Sequence, residues 1–266
     1  MSAAKIIGIV LARNEERHIE TAVRNAAGFC DQMLLCDHRS EDATPYILRG
    51  LSGELPSAEF YALDHPRESH DLLKPFCGTA TWVFAVDGDE IYDPTGLGHL
   101  RSRILSGELE ASWAVFGNVL NVTRLATNRS TATGHLSPPC RSMTKLYNFE
   151  AISSWHGKCP ERLHGGTPVF RPGFSAASRR YLHEETSWEN SHFRCLHLCF
   201  LPRSSADVSQ ARRNIMETYG TGWKDTFRFG LVKLLGAGGQ SSRWKQERYR
   251  RGPEVTVDAA PFFGGH

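Results

Sequence analysis

Residues 81–90 read TWVFAVDGDE, an apolar run that stops on two carboxylates, Asp87 and Asp89, with Gly88 between them. Thr81 to Val86 carry β-branched and aromatic side chains and no polar face, which predicts a strand buried on both sides. Such strands belong to parallel sheets covered by helices. In those sheets, ligands sit beyond the C-terminal strand ends, where Asp87 and Asp89 fall.

Working back from this strand, the same pattern repeats. Lys5 to Leu11 (KIIGIVL) predicts a first buried strand. Asn14 is a candidate cap for a following helix, with Glu15 and Glu16 in its first turn. Ile19, Ala22, Val23, Ala26 and Ala27 give that helix one apolar face, and Gly28 a stop. Gln32 to Cys36 predicts a second strand running into Asp37-His38-Arg39-Ser40-Glu41-Asp42, followed by a short helix over Thr44 to Leu51. Glu59 to Leu63 predicts a third strand, and Asp71 to Thr79 a helix before the 81–86 strand. Strands alternating with helices imply a parallel sheet with right-handed crossovers. Asp37 and the Asp87/Asp89 pair should therefore gather on one edge.

Downstream the pattern loosens. Leu97 to Ser106 reads as a helix, and Ser112 to Val122 and Arg141 to Asn148 as strands. Residues 123–140, rich in Thr, Asn and Ser with two prolines, read as a long loop. Ser205 to Tyr219 and Trp223 to Leu235 read as helices.

At 266 residues with 40% hydrophobic and 23% charged residues, collagen-like, disordered and disulfide-scaffold classes are excluded. A net charge of +2 argues against a nucleic-acid partner. Acidic residues outnumber basic ones two to one in the first hundred positions, and the balance reverses between Arg203 and Arg251. Seven cysteines form no regular framework, and no signal peptide or run long enough to span a membrane is legible. The expected location is the cytoplasm, with reduced thiols.

An acidic turn after a strand is common and by itself indicates little. Three segments together say more. Residues 6–16 (IIGIVLARNEE), 37–44 (DHRSEDAT) and 83–90 (VFAVDGDE) resemble the successive motifs of family 2 glycosyltransferases. The resemblance is clear over residues 5–95 and faint beyond 200. It implies a Rossmann-like, A-type glycosyltransferase fold with a mostly parallel central sheet. Residues 1–200 would form the catalytic domain, with a nucleotide-binding half (1–95) and an acceptor half (96–200), and 201–266 a basic, helical extension. It also implies an inverting, metal-dependent transfer from a nucleotide sugar, taken here as a UDP-sugar, by a hexosyl- or N-acetylhexosaminyltransferase. The acceptor would be a glycan, a lipid-linked molecule or a small molecule.

By that resemblance, Ala12, Arg13 and Glu15 border the nucleoside, Asp37 and His38 lie near base and ribose, and Lys74 reaches the diphosphate. Asp87, Gly88 and Asp89 form the DxD signature that holds Mn²⁺ or Mg²⁺. His197, in a stretch of alternating character, matches a late third metal ligand, with His183 as its competitor. Glu161 matches the general base that takes the acceptor proton, with Asp93, His156 and His164 as competitors. Leu11 replaces a frequent proline of the first motif, and His38-Arg39 replace small residues in the second. Aromatic, leucine and basic residues over 223–235 would suit peripheral contact with an anionic membrane, or packing on the domain itself. Zinc on His192, Cys195, His197 and Cys199 is disfavoured by the CxxxC spacing. A sugar nucleotidyltransferase is the alternative enzyme, although the 12–15 loop lacks its glycines. A non-catalytic nucleotide-sugar or glycan-binding protein is the other alternative.

Overall fold

The structure, a computed structural model, describes residues 4–66, 68–140, 144–156, 167–205 and 247–264. Its central sheet contains the four strands expected from the apolar runs: β1 (Lys5–Ala12), β2 (Gln32–Asp37), β3 (Ala58–Ala62) and β4 (Thr81–Val86). All pair in parallel, in the order β4-β1-β2-β3. Between them lie α1 (Ile19–Ala27), α2 (Thr44–Glu54) and α3 (Glu68–Leu73), the last followed by a 3-10 turn over Lys74–Phe76. The observed class is mixed α/β around a mostly parallel sheet.

Strand β1 shows why a continuous apolar run was needed. Ile6, Val10 and Ala12 face one core, shared with Ala22, Val23 and Phe84. Ile7, Ile9 and Leu11 face the other, against Leu34, Val83 and Ala85. A strand covered on both faces has no solvent side for a polar residue. Within the first core Phe84 meets Phe29 and Tyr92 edge-on, with ring centroids 5.1 and 4.8 Å apart. Truncating a buried phenylalanine to alanine costs about 3–5 kcal/mol.

The chain then leaves the simple alternation. After β5 (Glu90–Tyr92) and α4 (Pro94–Leu105) come β6 (Ala114–Phe116) and β7 (Asn118–Leu125). The single strand expected over 112–122 is thus two. Gly117 divides them, because a side chain there would sit 2.2 Å from the Phe193 carbonyl oxygen. β6 joins the central sheet, whereas β7 starts a second one. The long loop expected over 123–140 is instead the end of β7, a tight turn and β8 (Thr131–Ser137), paired antiparallel to β7. Its polar composition reflects a half-exposed ribbon.

The remaining elements are β9 (Thr144–Asn148), the β10 (Ile152–His156) and β11 (Thr167–Phe170) hairpin, β12 (Arg179–Tyr181), α5 (Leu182–Glu185), β13 (Arg194–His197), β14 (Glu254–Asp258) and α6 (Ala260–Phe263). The full central order is β12-β6-β9-β4-β1-β2-β3, and the second sheet is β14-β8-β7-β13-β5. The sheets do not divide at residue 95. β5 belongs to the second, and β6, β9 and β12 extend the first.

Residues 206–246, including most of the expected helical extension and its membrane-facing segment, lie outside the described residues. Where the tail is described it is partly helical, at 247–249 and 260–263, while 254–258 form a strand that pairs with β8. Phe262 of α6 is buried in the main core against Trp188, with ring centroids 5.8 Å apart. Among the described residues, no helix is long and apolar enough to cross a membrane.

Candidate active site

The turn from β4 to β5 passes from one sheet to the other, and it carries Asp87, Gly88 and Asp89. What lands beside it is decided by β13. Its antiparallel register on β5 pairs Cys195 with Tyr92, Leu196 with Ile91 and His197 with Glu90. The Leu198 amide then donates to the Asp89 carbonyl at 2.8 Å. His197 Nε2 consequently stands 3.7 Å from Asp89 Oδ1, both side chains more than 90% buried.

The other imidazole nitrogen is held from behind. His197 Nδ1 lies 2.9 Å from Asn121 Oδ1, on the neighbouring parallel strand β7. The Asn121 amide nitrogen donates to the His135 carbonyl at 3.4 Å, which turns its oxygen toward His197. Nδ1–H is therefore the donor, which leaves Nε2 facing Asp89. The Tyr249 ring meets His197 edge-on at 5.7 Å.

Two further charges complete this end. Glu15, 5% exposed, follows β1, and its amide donates to Thr44 Oγ1 at 2.8 Å. Arg203 Nη1 hydrogen-bonds Glu15 Oε1 and lies 3.6 Å from Asp89 Oδ2. Gly88 permits the approach: a Cβ there would meet Glu15 Cβ and Cγ at 2.7 Å. Asn14 does not cap a helix, as its sequence position suggested. It takes a left-handed conformation (φ 55°), accepts from the Glu41 amide at 2.8 Å and donates its own amide to Ser40 Oγ at 2.9 Å. Asparagine tolerates that conformation better than most residues, and α1 begins only at Ile19.

A second cluster lies at the ends of β1 and β2. Ala12 and Asp37 are register partners, and the His38 amide donates to the Ala12 carbonyl at 3.1 Å. Arg13 pairs with Glu41 at 3.7 Å. Asp37 Oδ2 accepts from the Ser40 amide at 3.3 Å, while its buried Oδ1 accepts no hydrogen bond among the described residues. Burial raises the Asp37 carboxyl above its ordinary value, against hydrogen bonds from Ser40 that lower it. Burial pushes His38 down to about 4, helped by the charges of Arg13 and His65.

Several expectations meet a different arrangement. Lys74 is exposed and paired with Asp71 in the turn after α3. Asp93 caps α4, accepting from the Thr95 and Gly96 amides, and bridges Arg194 at 2.8 Å. These bonds commit its carboxylate to the scaffold, so it is no competitor for the base. His183 faces Tyr181 and Glu184. His156 is exposed at the end of β10, and Glu161 and His164 lie outside the described residues. The Asp87 backbone closes the turn, its carbonyl accepting from the Glu90 amide at 3.1 Å.

Among the described residues, no three His, Cys, Asp or Glu side chains form a metal-binding group. The Asp89–His197 pair still suits a cation such as Mn²⁺ or Mg²⁺. Metal–ligand bonds of about 2.0–2.2 Å put adjacent donors of one octahedral ion about 3 Å apart, so the pair would close by less than about 1 Å on binding, and a back-bonded imidazole is the usual orienting device. Hard cations of this kind commonly take one or two protein donors and complete their shell with water and phosphate oxygens. Arg203, Asn121 and Tyr249 were not legible as site residues. The one available signal was that Arg203 opens the basic stretch.

No family model matches the chain, and no curated protein matches it. Among solved structures it is similar to a mannosyltransferase from Pyrobaculum calidifontis in complex with GDP-Man and Mn²⁺, at 18% identity and a TM-score of 0.34, covering 47% of this chain and 37% of that one. It is similar to glucosyl-3-phosphoglycerate synthase from Mycobacterium tuberculosis in complex with phosphoglyceric acid, at 21% identity and TM-score 0.31, covering 47% and 46%. A third is 4-diphosphocytidyl-2C-methyl-D-erythritolsynthase from Anaerococcus prevotii DSM 20548, at 11% identity and TM-score 0.35, covering 56% and 73%. The chain spans less than half the length of the first two, and its fold assignment stands on the strand order and registers given above.

Proposed function

We propose that this chain transfers a sugar from a nucleotide-sugar donor to an acceptor hydroxyl, in one displacement that inverts the anomeric centre. The observation that carries the reading is the buried Asp89–His197 pair beyond the end of β4, on the edge that also holds the Ala12–Asp37 cluster. A nucleoside on the β1–β2 ends would direct its diphosphate toward Asp89. Asp37 Oδ1 is buried and accepts no hydrogen bond among the described residues, so a ribose hydroxyl would reach it only with a local shift of the 37–40 loop, and Arg13 and Glu15 border the same loop.

Mn²⁺ or Mg²⁺ would be held by Asp89 and His197, with Asp87 beside them, and would supply Lewis-acid neutralisation of the departing nucleoside diphosphate. Asn121 orients His197 for that task, and Gly88 lets Glu15 close the site from the β1 side. Glu161 is the assigned general base, taking the acceptor proton on the face opposite the leaving group. UDP is the assigned nucleotide, and the acceptor a glycan, a lipid-linked molecule or a small molecule.

The test is incubation with a panel of UDP- and GDP-sugars and MnCl₂, measuring nucleoside diphosphate release with and without acceptors. Acceptor-dependent release that fails without metal supports the reading, and the anomeric configuration of the product decides inversion. Pyrophosphate release from a nucleoside triphosphate and a sugar phosphate would instead mark a nucleotidyltransferase. Binding without turnover would mark a binding protein.

A further inference from the structure

Arg203 reaches the site from a segment clasped onto the first loop. The Arg17 amide donates to the Arg203 carbonyl at 3.0 Å, and His18 Nε2 lies 3.0 Å from the Pro202 carbonyl oxygen. The Ser205 amide donates to Glu16 Oε1 at 2.6 Å, and Ser204 Oγ to Asp42 Oδ2 at 2.5 Å. These bonds fix the main chain around Arg203, and its side chain is engaged through the ion pairs with Glu15 and Asp89. Its guanidinium sits between Glu15 and Asp89, both more than 90% buried.

Two carboxylates drawn together out of water need a cation, and here the chain supplies one. A divalent ion on Asp89 and His197 would take over that role. It would also turn the 3.6 Å Arg203–Asp89 contact into a close approach of like charges. A guanidinium released from a carboxylate is suited to phosphate, whose oxygens it can bridge in pairs.

We propose that Arg203 stands in for the cation. It holds Glu15 and Asp89 until a divalent ion arrives, then gives up Asp89 and takes the diphosphate of a nucleotide donor. The inference rests on the glycosyl-transfer reading, and it makes Arg203 a residue of diphosphate recognition coupled to metal loading.

The test is calorimetric titration of the full chain, first with MnCl₂ alone. UDP, GDP and pyrophosphate then follow, each at saturating MnCl₂. With its competitor removed, Arg203→Ala should bind Mn²⁺ about tenfold more tightly without nucleotide, and all three diphosphates at least tenfold more weakly. Arg203→Lys keeps the charge and should restore wild-type Mn²⁺ affinity, yet recover only part of the diphosphate affinity. If Arg203→Ala does not fold, Arg203→Gln, which drops the charge and keeps much of the stem, carries the same expectation. Mn²⁺ affinity unchanged or weakened in a folded charge-deleting variant would overturn this inference alone. A wild-type chain that binds neither Mn²⁺ nor any diphosphate would overturn the glycosyl-transfer reading with it.

Discussion

His197 and Asn121 sit side by side on two parallel strands, Nδ1 to Oδ1 at 2.9 Å, and that one hydrogen bond determines which imidazole nitrogen faces Asp89. Removing it with Asn121→Ala should weaken Mn²⁺ binding about 10- to 100-fold, the usual cost of losing an orienting partner. Asn121→Asp, which keeps the acceptor, should retain most of the affinity. Direct Mn²⁺ titration distinguishes the two, and equal affinities in Asn121→Ala and wild type would remove the orienting role.

Asp89→Asn preserves the shape of the turn and removes the charge. Metal-dependent nucleoside diphosphate release should fall at least about 100-fold, on the scale of losing a principal electrostatic contribution. Asp87→Asn should cost less, because Asp87 stands outside the close pair with His197. Steady-state release rates across MnCl₂ concentrations check both, and an active Asp89→Asn enzyme would sink the metal assignment.

Gly88→Ala asks a separate question, since its Cβ would overlap Glu15 by design of the turn. Overpacking of this kind costs about 1–3 kcal/mol, so the melting temperature should drop by several degrees, together with Mn²⁺ affinity. Gly98→Ala in α4 meets nothing within 4 Å. It should stabilise the helix by about 0.5–1 kcal/mol and leave binding untouched. Thermal melts of the pair separate steric cost from a general glycine effect.

Stability should decline in mild acid for an identifiable reason. His38 and His70 are buried and held down to about 4, chiefly by desolvation, whereas an unfolded histidine titrates near 6.5. Between those values the unfolded chain binds more protons, so stability is full above pH 6.5 and is lost as pH falls toward 4. Each histidine should contribute a loss of about 2 kcal/mol between pH 7 and pH 5 by that linkage. Urea midpoints at the two pH values measure it, and His38→Gln should make the dependence shallower. An unchanged pH dependence in that variant would contradict the assignment.

Strands β1, β2 and β4 of the central sheet were legible because burial on both faces leaves an uninterrupted apolar run. TWVFAV and KIIGIVL needed no partner to be recognised. Asp37, Asp87 and Asp89 were legible for a related reason, as polar residues at the end of such runs. The second sheet was not. Gly117 divides one apolar run between two sheets because of a carbonyl contributed by Phe193, a contact 76 residues away in sequence. The proximity of His197 to Asp89 comes from the β13–β5 register, and Arg203 owes its position to the clasp at 202–205. Such relationships leave no local periodicity. Asp93 shows the opposite failure: its carboxylate looked available in sequence, but it is consumed by a helix cap and Arg194.

Asn25, inside the first helix, donates its side-chain amide to the carbonyls of Tyr92 and Phe262, the latter at 2.8 Å across 237 residues of chain. Together with β14 closing the second sheet against β8, this makes completion of the fold depend on residues beyond 250. The N-terminal strand–helix units can emerge from the ribosome early, but one buried amide and one sheet edge wait for residues beyond 250. In the interval the open side of β8 is available to other nascent chains, which makes that edge the place to look for chaperone engagement and for aggregation of truncated products.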